Sequence, residues 1–113
     1  MSAGTYRMVC EQGATFERVF TLTDESSQPL DLSGFTARMD VRPEVDSNEI
    51  YLTLTTENGR LAIVDNVLTV SISAEETATI PEDGVYDIEL IAEDDTVTRL
   101  LKGTFKLDPE VTR

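Results

Sequence analysis

The chain has 113 residues, enough to bury one hydrophobic core without help from metals or disulfides, and its lone Cys10 has no partner within the chain. Nine Lys and Arg stand against 22 Asp and Glu, with no His, and the net charge of −13 opposes both nucleic-acid phosphates and anionic membranes. The opening "MSAGTYRMVCEQG" has no basic region followed by an apolar run, and no apolar stretch reaches the length of a membrane span, so a single soluble domain over 1–113, made in a cytoplasm, is expected.

Apolar and polar residues alternate with period two along almost the whole chain, the pattern of strands with one face buried. A first strand is expected to carry Tyr6 and Arg7. In "ATFERVFTLT", Phe16, Phe20 and Leu22 share a parity, with Arg18 between them. "DESSQPLDLSG" reads as a loop punctuated by Pro29 and Gly34. The clearest strand is "FTARMDVR", which sets Phe35, Ala37, Met39 and Val41 on one face and Thr36, Arg38, Asp40 and Arg42 on the other. Ile50, Leu52 and Leu54 repeat the pattern in "IYLTLT".

Next comes "ENGR", whose Asn58-Gly59 is the preferred pair of a type I′ turn. The short strand "LAIV" is joined through Asp65 and Asn66 to "VLTVSIS", where Leu68, Val70 and Ile72 are in phase. "SAEETATIPEDG" breaks the alternation. Ser73 suits an N-cap, Glu75 and Glu76 suit a first helical turn, and Pro81 stops the helix, so one or two turns should carry the chain between sheets. Two closing strands follow. "GVYDIELIA" has Tyr86, Ile88 and Leu90 in phase; "TVTRLLKGTFKL" has Val97, Leu101, Phe105 and Leu107, with "AEDD" turning between them and Gly103 suggesting a bulge.

About seven to eight short strands with one short helical crossover predict an all-β, immunoglobulin-like antiparallel sandwich, with a small closed barrel as the alternative. The absence of Trp and the single Cys exclude an antibody-type core with its inter-sheet disulfide. Tyr86 fits a corner tyrosine whose hydroxyl bonds backbone across the strand start.

The residues argue against catalysis. Without His, and with one Cys, neither Ser-His-Asp nor Cys-His chemistry can be assembled, and zinc sites drawn from those residues are excluded too. No EF-hand spacing and no phosphate-binding glycine loop occurs. The acidic clusters Glu93 to Asp95 and Glu82-Asp83 would meet a hard cation only if the fold brought them together. Few aromatics remain to floor a sugar site once strand parity assigns Phe to the core. The expectation is a non-enzymatic protein with no cofactor and no metal. Its acidity serves either solubility at high local concentration or docking of a basic partner.

The ordered segments "EQGATFERVFTL", "PLDLSGFTARMDVRP", "GVYDIEL" and "VTRLLKGTFKLDPEVTR" resemble a family of small bacteriophage virion proteins. They are similar to the β-sandwich domains at the N-terminus of phage baseplate upper proteins and in tail- or fibre-attachment proteins. The resemblance runs through Gln12-Gly13, Leu32-Ser33-Gly34, Arg38 to Arg42, Tyr86-Asp87 to Leu90, Val97 to Gly103 and Val111-Thr112-Arg113, with Ser33 where that family more often has Thr. It covers nearly the whole chain and implies a structural or adaptor role in the virion, most often in the tail or its distal end, after synthesis in the bacterial cytoplasm. Other virion proteins would be its partners, in a homo-oligomeric or multi-copy arrangement. The alternatives are a head-decorating or head-tail joining protein, and a carbohydrate-binding module for the host surface.

The chain ends are the expected contact points. Pro109 cannot continue a ladder, so "DPEVTR" should leave the sheet and present Glu110, Val111, Thr112 and Arg113 to a neighbour, unless the tail simply frays. Tyr6 and Arg7 on the first strand complete the candidate interface.

Overall fold

In a computed structural model, residues 4 to 112 are described, and the alternation resolves into nine strands and one short helix among them. The larger sheet contains β1 (Gly4–Thr5), β2 (Met8–Glu11), β4 (Thr36–Arg42), β5 (Leu52–Thr55), β8 (Gly84–Ile91) and β9 (Val97–Asp108). Its order is β1-β9-β8-β4-β5, with β2 also on β9. The smaller sheet is β3 (Phe16–Thr21), β7 (Val67–Ile72) and β6 (Leu61–Val64), in the order β3-β7-β6. The two pack face to face as a β-sandwich, the architecture expected from the sequence.

Period-two burial makes the core. Ala37, Met39 and Val41 of β4, Tyr86, Ile88 and Leu90 of β8, and Phe105 and Leu107 of β9 meet Phe16 of β3, Leu61 of β6 and Leu68, Val70 and Ile72 of β7. Burying a side chain of this size stabilises by about 1.5–3 kcal/mol. Met8 and Cys10 of β2 are buried in the same core.

The first strand leaves β3 and lies beside the last. Gly4 pairs with Leu101 and Met8 with Phe105, at one common offset and in parallel, so β1 and β2 are one strand interrupted at Tyr6 and Arg7. Counted that way, the strands number eight. Parallel pairing sets Gly4 level with Leu101 and Glu11 level with Asp108, so Gly4 and Asp108 lie seven strand residues, about 23 Å, apart, with the chain entering at one and leaving at the other in the same direction.

Helix α1 (Ala74–Thr77) carries the chain from β7 in one sheet to β8 in the other. Ser73 accepts from the Glu76 amide, and the Glu76 side chain accepts from the Ser73 amide, a reciprocal capping box. Thr77, fully buried, donates to the Ala14 carbonyl and accepts from Gly13, fastening the helix to the β2–β3 turn.

Three expectations change. "ENGR" is not a hairpin turn: β5 and β6 belong to different sheets, and Gly59 has φ +80° while Asn58 keeps a negative φ. Asn58 works instead through its side chain, accepting from Thr55 and Arg60 amides and donating to the Thr53 carbonyl. The bulge in β9 lies at Leu100, between the pairs Ile88–Leu101 and Glu89–Arg99, and not at Gly103. It switches the strand's parity, so Leu100 is buried and Val97 is exposed. Ile50 lies outside β5 and is exposed.

Candidate interaction surfaces

Tyr6 sits at the interruption between β1 and β2. Its amide donates to Lys102, as a parallel ladder requires, but its carbonyl turns inward and accepts from the Tyr86 hydroxyl at 2.6 Å. Gly103 makes the inward turn feasible: a Cβ there would collide with the Tyr6 carbonyl oxygen. Tyr86 thus bonds a carbonyl far upstream in the chain, and not the backbone near its own corner. Burial, with Tyr6 close by, pushes the Tyr86 phenol up to about 12, so it remains a donor through the whole physiological range. The Tyr6 ring meets Phe20 edge to face, with centroids 5.2 Å apart, and Arg7 is exposed beside it.

Arg18 closes the gap between the sheets at this edge. Its guanidinium lies 4.4 Å from the Phe16 ring centroid and donates to the carbonyls of Glu17 and Val9. That occupies an outward carbonyl on β2 that would otherwise accept another strand. Cys10, completely buried, has its thiol pushed up to about 11 by burial, which makes it a core residue and not a nucleophile.

The expected docking tail divides. Glu110 is half-buried, its amide donates to the Gln12 side chain, and its carboxylate fills the space over Gly13, where φ is +82°. Gln12 also donates to the Ile80 carbonyl. Glu110 is therefore a tether of the tail to the β2–β3 turn. Val111 and Thr112 project beyond it, exposed, and Arg113 lies outside the described residues.

Glu82-Asp83 and Glu93 to Asp95 flank β8 at its opposite ends, with the eight residues of the strand, about 26 Å, between them, so they do not form one cation site. Among the described residues no three Cys, Asp or Glu side chains are arranged to hold a metal ion. Several loop carboxylates serve their own turns. Asp24 accepts from the amides of Ser26 and Gln28, Asp31 is held below its usual range by the Ser33 hydroxyl and amide, and Asp94 is held low in the same way by Thr96.

The two outer faces of the sandwich differ in chemistry. On the larger sheet, Arg38 pairs with Glu89 at 2.7 Å, Arg42 with Asp40 at 2.8 Å and Arg99 with Asp87 at 3.5 Å, with Lys102 next to Asp87 in the register. On the smaller sheet, the outward positions are Val19 and Thr21 of β3, Val67, Thr69 and Ser71 of β7, and Ala62 and Val64 of β6. Only Glu17, at a corner, adds a charge among its strand residues. None of the interface residues expected from the sequence lies on this face. Its signal was there: once parity assigns the inner positions of "FERVFT", "LAIV" and "VLTVSIS", the outer ones are nearly all small or β-branched and neutral, unlike those of "FTARMDVR".

No protein-family model matches the chain, and a sequence comparison with curated proteins returns no match.

Proposed function

We propose that the protein is a non-enzymatic structural or adaptor component of a bacteriophage virion, in the tail or at the baseplate and fibre-attachment region, working through protein contacts in many copies. The observation that carries the adaptor reading is the parallel pairing of the first strand with the last, which points the two terminal segments in opposite directions along the strands. A unit built this way can engage one neighbour at each end, whereas antiparallel terminal strands would return both to one side. The resemblance to virion sandwich domains supports the same reading. Its matched positions Gln12-Gly13, Tyr86 and Gly103 are the residues that hold the first strand and the tail in place.

On this reading Tyr6 and Arg7 contribute from the β1–β2 edge, and Val111, Thr112 and Arg113 from the tail, with Glu110 fixing the direction in which the tail leaves. Tagging the protein in its phage-producing host, sedimenting the lysate and identifying co-travelling proteins by mass spectrometry tests it. Co-sedimentation with virion proteins in a very large particle is the expected result, and removal of residues 109–113 should release it. A small free species at every stage of particle production would overturn the proposal and favour glycan recognition, to be sought by sugar binding.

A further inference from the structure

We propose that the outer face of the β3-β7-β6 sheet is a self-association surface on which the same face of a second copy packs. In a chain of net charge −13, the outward residues Val19, Thr21, Ala62, Val64, Val67, Thr69 and Ser71 form a continuous neutral surface across three strands, with Val19 59% and Val64 67% exposed. Covering such a face with a charged surface would strip water from charges and leave them unpaired, which costs several kcal/mol for each. The covering surface must be neutral as well. Among the described residues, the outer face of the larger sheet carries five basic and five acidic strand side chains, and the loops at both ends of the sandwich are acidic, so the surface that qualifies is this same face on another copy.

Register makes the match specific. Glu17, Ser71 and Arg60 lie at one level across the sheet, since Glu17 pairs with Ser71 and the Ser71 amide donates to the Arg60 carbonyl. Val19, Thr69 and Ala62 share the next inner level, and Thr21, Val67 and Val64 the level beyond that. A two-fold axis running along β7 lays β3 of one copy over β6 of the other. Glu17 then faces Arg60, Val19 faces Ala62 and Thr21 faces Val64, each contact made twice. At that rim Glu17 meets an Arg60 that its own chain already pairs with Glu76 at 2.8 Å, and the centre of the face is neutral.

Area sets the strength. Three strands about 4.8 Å apart and six residues of about 3.3 Å each give a face on the order of 300 Å². That is well below the ~800 Å² per partner of a stable interface, so the contact is weak between free molecules and becomes occupied where copies are held close together. The proposal names a surface for the contact-based function and rests on that reading for its setting. Its test uses the purified chain alone, so it can fail while co-sedimentation stands, and the reverse.

The test is a set of amide NMR spectra of the whole chain at rising concentration, in low and in high sodium chloride. Concentration-dependent shifts should concentrate on β3, β6 and β7. Salt should strengthen association several-fold, because it screens the repulsion between two acidic molecules more than the two rim contacts of Glu17 with Arg60. Val64→Lys and Val19→Lys, at exposed positions that leave the core intact, should weaken association at least ten-fold with an unchanged unfolding transition. Shifts that map to the outer face of the larger sheet, association that weakens with salt, or spectra independent of concentration up to millimolar protein would each overturn it.

Discussion

The Tyr86 hydroxyl and the Tyr6 carbonyl, 2.6 Å apart, join the middle of one sheet to its edge through the space left by Gly103. The carbonyl has left the β1–β9 ladder, so the phenol is its replacement donor. Tyr86→Phe should cost about 1–2 kcal/mol, the cost of leaving a partly buried acceptor unpaired. Gly103→Ala should cost more, about 2–3 kcal/mol, because its Cβ forces the Tyr6 backbone outward. Urea unfolding measures both. Amide exchange should show the loss of protection centred on residues 4–11.

The surroundings of Asp87, on the outer face of the larger sheet, work against its charge. Burial raises its pKa first, and the neighbouring Glu89 raises it further, while Arg99 opposes both. Asp40 lies directly across the strand pair, and like charges in that position destabilise. A carboxyl with a raised folded-state pKa penalises the native state above that pKa, and the penalty disappears as pH falls below the ordinary value of 3.8. Asp87→Asn should therefore stabilise by about 0.5 kcal/mol at pH 7, with the gain vanishing near pH 3. Thermal unfolding at the two pH values checks the sign.

Much of the fold was legible because burial with period two is a local property. The inner faces of β3, β4, β7 and β8, the Ser73 cap and the "AEDD" turn, where the Ala92 amide donates to Thr96, follow from residues within a few positions of one another. What was not legible depends on residues far apart in the chain. The bulge at Leu100 is an extra residue relative to β8, so the phase of Val97 and Leu101 could not be extended from Phe105 and Leu107. Asn58-Gly59 has hairpin composition, and only the assignment of β5 and β6 to separate sheets reveals a crossover. At the candidate surfaces, Tyr6, Arg7, Val111 and Thr112 are exposed, while the anchoring of Glu110 depends on Gln12 and Gly13, nearly a full chain length away.

Asn58 closes the edge of β5. On the side away from β4, the Thr53 carbonyl accepts from its amide nitrogen and the Thr55 amide donates to its oxygen, the two bonds that another strand would make. Asn58→Ala should lose about 1–2 kcal/mol and expose those groups to pairing with another chain. Asn58→Asp keeps the acceptor and loses the donor, so its stability should fall between the two. Urea midpoints rank the three proteins, and light scattering on prolonged warming should show the alanine variant aggregating first.

The crossover helix supplies the opposite pH dependence to Asp87. Burial opposes the Glu76 charge, but hydrogen bonds from Arg60 and from the Ser73 amide and hydroxyl outweigh it and bring its pKa below the usual 4.5. A carboxylate with a lowered folded-state pKa stabilises at all pH above 4.5 and loses that contribution as pH falls through the folded value. Ser73→Ala removes both hydroxyl bonds and should cost about 1 kcal/mol at pH 7. Part of that difference belongs to the charged form of Glu76, so the gap between wild type and variant should narrow at pH 3. Glu76→Gln keeps the acceptor for the Ser73 amide and loses the half-buried ion pair with Arg60, a difference of up to about 1 kcal/mol. Urea unfolding of the three proteins at pH 7 and pH 3 separates the cap from the charge: a constant Ser73→Ala gap at both values would show that the carboxylate contributes nothing to the cap.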